Sequence, residues 1–138
     1  MLKIAVLGLW LVLGNPSSSG VMTYESAYAK AEKENKPLVV LVGADWCAAC
    51  QTMKSTTIQK MKESGSLSDV IFTQIDKDLR PELAEQIMQG DSLPQIIVFA
   101  KSEEGWKKFS LSGIQSEGRV KELIRRASSR DADLRIVR

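Results

Sequence analysis

Two hydrophobic periods alternate along this chain. Leu38-Val39-Val40-Leu41-Val42 is an unbroken apolar run of β-branched and leucine residues. Such a run predicts a central strand covered on both faces. Upstream, Tyr24, Ala27, Tyr28 and Ala31 recur at helical spacing, and Lys30, Glu32, Lys33 and Glu34 fill the other side. A helix is therefore expected from Thr23, an N-cap residue, to Asn35, where Asn35-Lys36-Pro37 stops it. After the run, Gly43-Ala44-Asp45-Trp46 leads into a helix over Ala48 to Glu63, ended by Ser64-Gly65.

The second half repeats the alternation. Val70 to Asp76 predicts a strand, and Arg80-Pro81 opens a helix to Met88 with Gly90 as its stop. Gln95-Ile96-Ile97-Val98-Phe99 predicts a third strand, followed by a polar turn over Lys101 to Gly105. Trp106 to Leu111 alternates as an edge strand does, and Gly113 breaks it. Ser116 to Ala127 closes as an amphipathic helix with Val120, Leu123 and Ile124 inward. Early strands separated by helices are expected to be parallel, and the last two to form a hairpin. The class is α/β: a central mixed sheet flanked by helices on both faces. There is no internal repeat and no low-complexity segment.

The start of the chain has a different pattern. Lys3 is the only charged residue of the first twenty, and residues 4–14 (IAVLGLWLVLG) are apolar before Asn15-Pro16 and Ser17-Ser18-Ser19-Gly20. That run is too short to cross a bilayer core of about 30 Å as a helix. A charged start, a short apolar middle and small residues after it predict a secretory signal peptide over residues 1–20, cleaved near Ser19 or Gly20. The alternative is a buried first element of the domain. The signal reading places the protein in the periplasm or outside the cell.

Composition narrows the chemistry. The 138 residues fit one domain, expected over 21–127, with a charged tail over 128–138 in which Leu134, Ile136 and Val137 could dock. The net charge of +2 and the isolated pairs Lys107-Lys108 and Arg125-Arg126 do not suggest a nucleic-acid partner. Histidine is absent, which removes the usual general base and the usual zinc ligand. What remains is Cys47 and Cys50, two residues apart and the only cysteines.

Three uses compete for that pair. One CxxC supplies two of the four ligands of a structural zinc, so only a dimer sharing two pairs could complete a site. A structural disulfide closing so short a loop removes little unfolded-chain entropy. Reactivity needs a nucleophile, and here Cys47 falls where a helix begins after a buried strand. Unpaired N–H groups and the helix dipole favour a thiolate there. Cys50, one turn on, lies on the same side and further inside. It would act as the resolving thiol.

Asp45-Trp46-Cys47-Ala48-Ala49-Cys50 after an apolar strand resembles the active-site segment of the thioredoxin superfamily. Ser92-Leu93-Pro94 before the third strand is similar to the family's second landmark, a cis-proline turn facing the CxxC pair, and Gly113 resembles a third. The similarity covers about residues 23 to 127 and is nearest to exported bacterial thioredoxin-like proteins. It implies a thioredoxin-like fold and a protein-disulfide oxidoreductase needing no cofactor or metal. Cys47 would attack and Cys50 resolve. Trp46, Leu93 and Pro94 would form the substrate surface, with Leu93 offering backbone hydrogen bonds to a bound segment. The implied partners are exported proteins carrying disulfides or thiols, with a membrane redox partner for a reductase, and the protein itself is expected to be a monomer.

Two departures bear on the chemistry. The Ala48-Ala49 spacer replaces the residues that set redox poise in the family, so the direction of electron flow is open. The family's buried carboxylate would fall at Leu41. Asp45 is the nearest carboxylate for a proton relay, and its charge would oppose the helix effect on Cys47. The rival function is a binding or assembly module with an idle disulfide.

Overall fold

A computed structural model of the chain describes residues 20–129. The signal segment apart from Gly20, and the tail from residue 130 with Leu134, Ile136 and Val137, lie outside the described residues.

Helix α1 (Tyr24–Glu34) begins where Thr23 accepts a hydrogen bond from the Ser26 amide at 3.2 Å. It ends at Asn35, whose φ of 53° is the left-handed conformation asparagine tolerates. Strand β1 (Leu38–Gly43) is buried at every position. Helix α2 (Ala48–Met53), a π-helical turn (Lys54–Ile58) and α3 (Gln59–Glu63) follow without a break. Then come β2 (Ile71–Asp76), α4 (Pro81–Ile87) with proline in its first turn, β3 (Gln95–Ser102), β4 (Gly105–Ser112) and α5 (Glu117–Ser128).

The sheet order is β2-β1-β3-β4. β1 and β2 are parallel, β3 runs antiparallel to β1, and β4 runs antiparallel to β3. The alternation of β1 explains its unbroken apolar sequence. Val39 and Leu41 pack with Met53, Ile58, Met61 and α5 on one face. Leu38, Val40 and Val42 pack with Ala27 and Ala31 of α1 and Ala84 and Ile87 of α4 on the other. Strand side chains alternate between faces, so a strand sandwiched by helices must be apolar throughout. Tyr24 and Tyr28 pack against the core on the Leu38, Val40 and Val42 face. Their rings lie 6.3 Å apart, and Tyr28 is 5.5 Å from Trp106.

Three elements depart from the sequence pattern. β3 and β4 reach three residues and one residue further than expected, and their turn shrinks to Glu103-Glu104 before Gly105 at φ 114°. Lys101 and Ser102 read as turn residues because this end of the hairpin projects beyond the core. The expected single helix over 48–63 contains the π turn. Thr52, Ser55 and Thr56 supply its cause: the hydroxyls of Ser55 and Thr56 both bond the Thr52 carbonyl, at 3.3 and 2.6 Å, competing with regular helix bonds.

The π turn brings the buried Thr57 onto the β4–α5 connection, where its hydroxyl donates to the Gln115 carbonyl at 2.6 Å. Thr57→Val keeps the shape and removes the donor, so denaturant unfolding should show a loss of about 1 kcal/mol. An unchanged midpoint would show the bond contributes nothing.

Candidate active site

β1 ends at Gly43, and a turn through Asp45 and Trp46 delivers Cys47 to the start of α2. Cys47 is the N-cap of that helix, and its Sγ accepts the Cys50 backbone N–H at 3.1 Å. A cysteine sulfur thus takes the place a serine or aspartate oxygen usually holds. No acidic residue lies in the first turn to offset the helix dipole.

Cys47 and Cys50 are joined as a disulfide with Cα atoms 5.2 Å apart. Their exposures differ: Cys47 keeps 7% of its surface and Cys50 none. Ala44 and the two cysteines form a small cluster of their own, against which Ala49 and Leu93 pack.

The expected surface residues gather around this cluster unevenly. Leu93 touches it, and the Leu93–Pro94 peptide is cis. Pro94 is buried, and its carbonyl accepts the Gly113 N–H at 2.8 Å, tying the proline turn to the end of β4. Among the described residues, no hydrogen bond uses the N–H or carbonyl of Leu93. Trp46 stands 71% exposed beside Cys47. Asp45 is exposed and makes no hydrogen bond or ion pair among the described residues. No group of three or more potential metal ligands occurs among the described residues.

Sequence reasoning missed three residues that shape the site. Asp78 accepts the Trp46 indole N–H at 2.6 Å and holds that exposed ring in place. It sits in a turn where Asp76 caps the Asp78 and Leu79 amides, and Lys77 N–H bonds the Gly43 carbonyl at 2.8 Å. The clustered aspartates after a strand were the only signal of such a turn. Gly43 is the second: a Cβ there would lie 3.1 Å from Cys50 Cβ and 3.3 Å from its Sγ, so the absence of a side chain lets the helix seat Cys50 against the strand end. Gln95 is the third, fully buried directly after Pro94. Its signal was a polar residue at the head of an otherwise apolar strand. Further out, Arg80 pairs with Glu25 of α1. That hydrogen bond holds the Glu25 carboxyl below the usual carboxylate range, although both side chains are open to solvent and the pair adds little to stability.

A mixed sheet with helices on both faces, and a CxxC disulfide at the helix start beyond a central strand, define a thioredoxin-fold protein. The family model described as thioredoxin-like matches residues 20–101, and the chain belongs to that family. Solved structures agree on the fold. A thioredoxin from Thermus thermophilus is 19% identical over 75% of this chain and 82% of its own, with a TM-score of 0.63. Trichomonas vaginalis thioredoxin is 20% identical over 78% and 93%, with a TM-score of 0.59. Fasciola hepatica thioredoxin is 24% identical over 75% and 94%, with a TM-score of 0.57. No curated protein sequence matches the chain. Fold and CxxC disulfide together support thiol–disulfide redox activity in general.

Proposed function

We propose that this chain is an exported oxidoreductase that exchanges electrons with protein disulfides or dithiols through Cys47 and Cys50. The observation that carries the reading is the asymmetry of the pair: Cys47 caps the helix with its sulfur and keeps some surface, while Cys50 is fully buried behind it.

In the reducing direction, the Cys47 thiolate attacks one sulfur of a partner disulfide. A mixed disulfide forms and the partner's other sulfur leaves as a thiolate. The Cys50 thiol then loses its proton to solvent and attacks Cys47 Sγ. The Cys47–Cys50 disulfide forms and the partner's second thiolate is released, two electrons having passed to the partner. Oxidation runs the same steps backward. The open backbone of Leu93 supports docking of an extended partner segment by added-strand hydrogen bonds, with Trp46 and Pro94 flanking it. Asp45, exposed two residues before Cys47, is the carboxylate we assign to passing the Cys50 proton to solvent. Lys3 and the apolar run over residues 4–14 support export, and with it a periplasmic or secreted protein; in the reductase direction its electron donor would be a membrane partner.

One observation favours a second reading. Leu41 is fully buried where the superfamily's proton-accepting carboxylate would fall, which suits a binding module whose disulfide is idle. Equilibration of the purified protein with a glutathione buffer decides between them. An active pair titrates reversibly, near about −270 mV for a reductase and about −120 mV for an oxidase. Absence of exchange above background with a protein disulfide would leave only the binding module.

A further inference from the structure

The side chain of Gln95 is wholly buried, yet no part of the chemistry above uses it. Its carboxamide pairs with the main chain of one residue across the loop. Oε1 accepts the Gln89 N–H at 2.8 Å, and Nε2 donates to the Gln89 carbonyl at 3.0 Å. Nε2 also reaches Ser112 Oγ at 3.4 Å on β4. This closes a loop that runs from Gln89 through Gly90, Asp91, Ser92 and Leu93 to Pro94. The closure resembles one rung of a sheet made by a side chain where no strand is available. β4 braces the same connection from outside: Ser110 Oγ bonds Gln89 Oε1 at 2.9 Å, and Lys108 Nζ donates to the Ile87 carbonyl at 3.1 Å.

Only a side chain with a donor and an acceptor at glutamine's reach can make this pairing. Asparagine is one carbon short, threonine has a single hydroxyl, and a glutamate carboxylate has no donor. The clamp lies at the foot of the turn whose tip presents the unbonded Leu93 backbone beside Cys47 and Cys50. We infer that Gln95 is a positioning residue: it fixes the Leu93 backbone at the distance from Cys47 at which an extended partner segment can pair with it. The inference rests on the oxidoreductase reading above. Recognition by main-chain bonds requires a rigid edge, because a mobile loop must be ordered each time a partner binds. A small disulfide that reaches Cys47 without touching Leu93 does not need that edge.

The test compares two substrates, insulin as a protein disulfide and glutathione disulfide as a small one. For Gln95→Leu, KM for insulin should rise roughly tenfold with kcat within about twofold, and exchange with glutathione disulfide should stay within about twofold. The Gln89 amide should lose its hydrogen-exchange protection. Gln95→Glu adds a signature that a packing role would not produce. A protonated carboxyl can donate to the Gln89 carbonyl and accept its N–H; a carboxylate cannot donate. The ratio of insulin to glutathione efficiency in Gln95→Glu should therefore fall as pH rises, against a flat ratio in the wild type. If Gln95→Leu does not fold, that ratio decides alone. An unchanged insulin KM in Gln95→Leu, a parallel loss on both substrates, or a flat ratio in Gln95→Glu overturns the inference. A wild-type protein that exchanges neither with these two disulfides nor with the matching dithiols, reduced insulin and reduced glutathione, instead overturns the parent reading, and this one with it.

Discussion

Cys50→Ser should leave the protein holding its partner as a stable mixed disulfide on Cys47, while Cys47→Ser should hold none and turn over at background. The asymmetry follows from where the two sulfurs sit. Cys47 keeps 7% of its surface; Cys50 keeps none. The Cys50 N–H that bonds Cys47 Sγ at 3.1 Å stays in place in Cys50→Ser, because it belongs to the backbone. The attacking thiolate therefore keeps its stabilisation while the resolving step is lost. In Cys47→Ser the remaining thiol is buried at the foot of the cluster with Ala44, and a protein disulfide has no path to it. Non-reducing electrophoresis after mixing with extracts of exported proteins reads the outcome as bands that dithiothreitol removes. Equal trapping by both variants would show that Cys50 is reachable and that the assigned order is wrong. Trapping by neither, with the wild type also inactive, would favour the idle-disulfide module.

The fold was legible because its central strand is sandwiched. A helix on each face leaves β1 no solvent side, so Leu38 to Val42 carries no polar residue and the run is visible in any window. Caps were equally local: Thr23 and Ser116 bond amides three residues on, so the signal and the structure share one short stretch. The disulfide was legible for the same reason. What escaped were bonds between segments distant in the chain. Asp78 meets Trp46 across thirty-two positions, and Thr57 meets Gln115 across fifty-eight. Nothing in either local sequence specifies the partner. The π turn escaped because Thr and Ser in a helix announce competition with the backbone without saying which carbonyl they take. Gly43 illustrates a third kind of loss: its role is a missing Cβ against Cys50, which only the packed structure reveals.

Leu41 separates this protein's site from the pattern it resembles, and Leu41→Asp should show what that departure protects. The residue is fully buried among Val39, Met53, Ile96 and Val98, a layer of aliphatic and thioether side chains. Truncating a buried leucine alone costs about 2–5 kcal/mol. An introduced carboxyl adds a buried polar group without a partner, at roughly 1–3 kcal/mol more. Against a typical domain stability of about 5–15 kcal/mol, the variant should be at or near the edge of folding at neutral pH. Its cost should also depend on pH. Burial disfavours the charged form, so the folded-state pKa of the introduced carboxyl lies above the unfolded value of about 3.9. Between those two values the folded state binds more protons than the unfolded state, and stability falls as pH rises. The penalty should grow by up to about 1.4 kcal/mol per pH unit across that window and level off above the folded-state pKa. Denaturant unfolding at pH 4.5 and pH 7.5 checks this, with Leu41→Asn as a variant of similar shape that does not titrate. A cost equal at both pH values would mean that water already reaches the position. In that case the leucine is not what keeps this end of the core dry, and a carboxylate there could serve Cys50 at little expense.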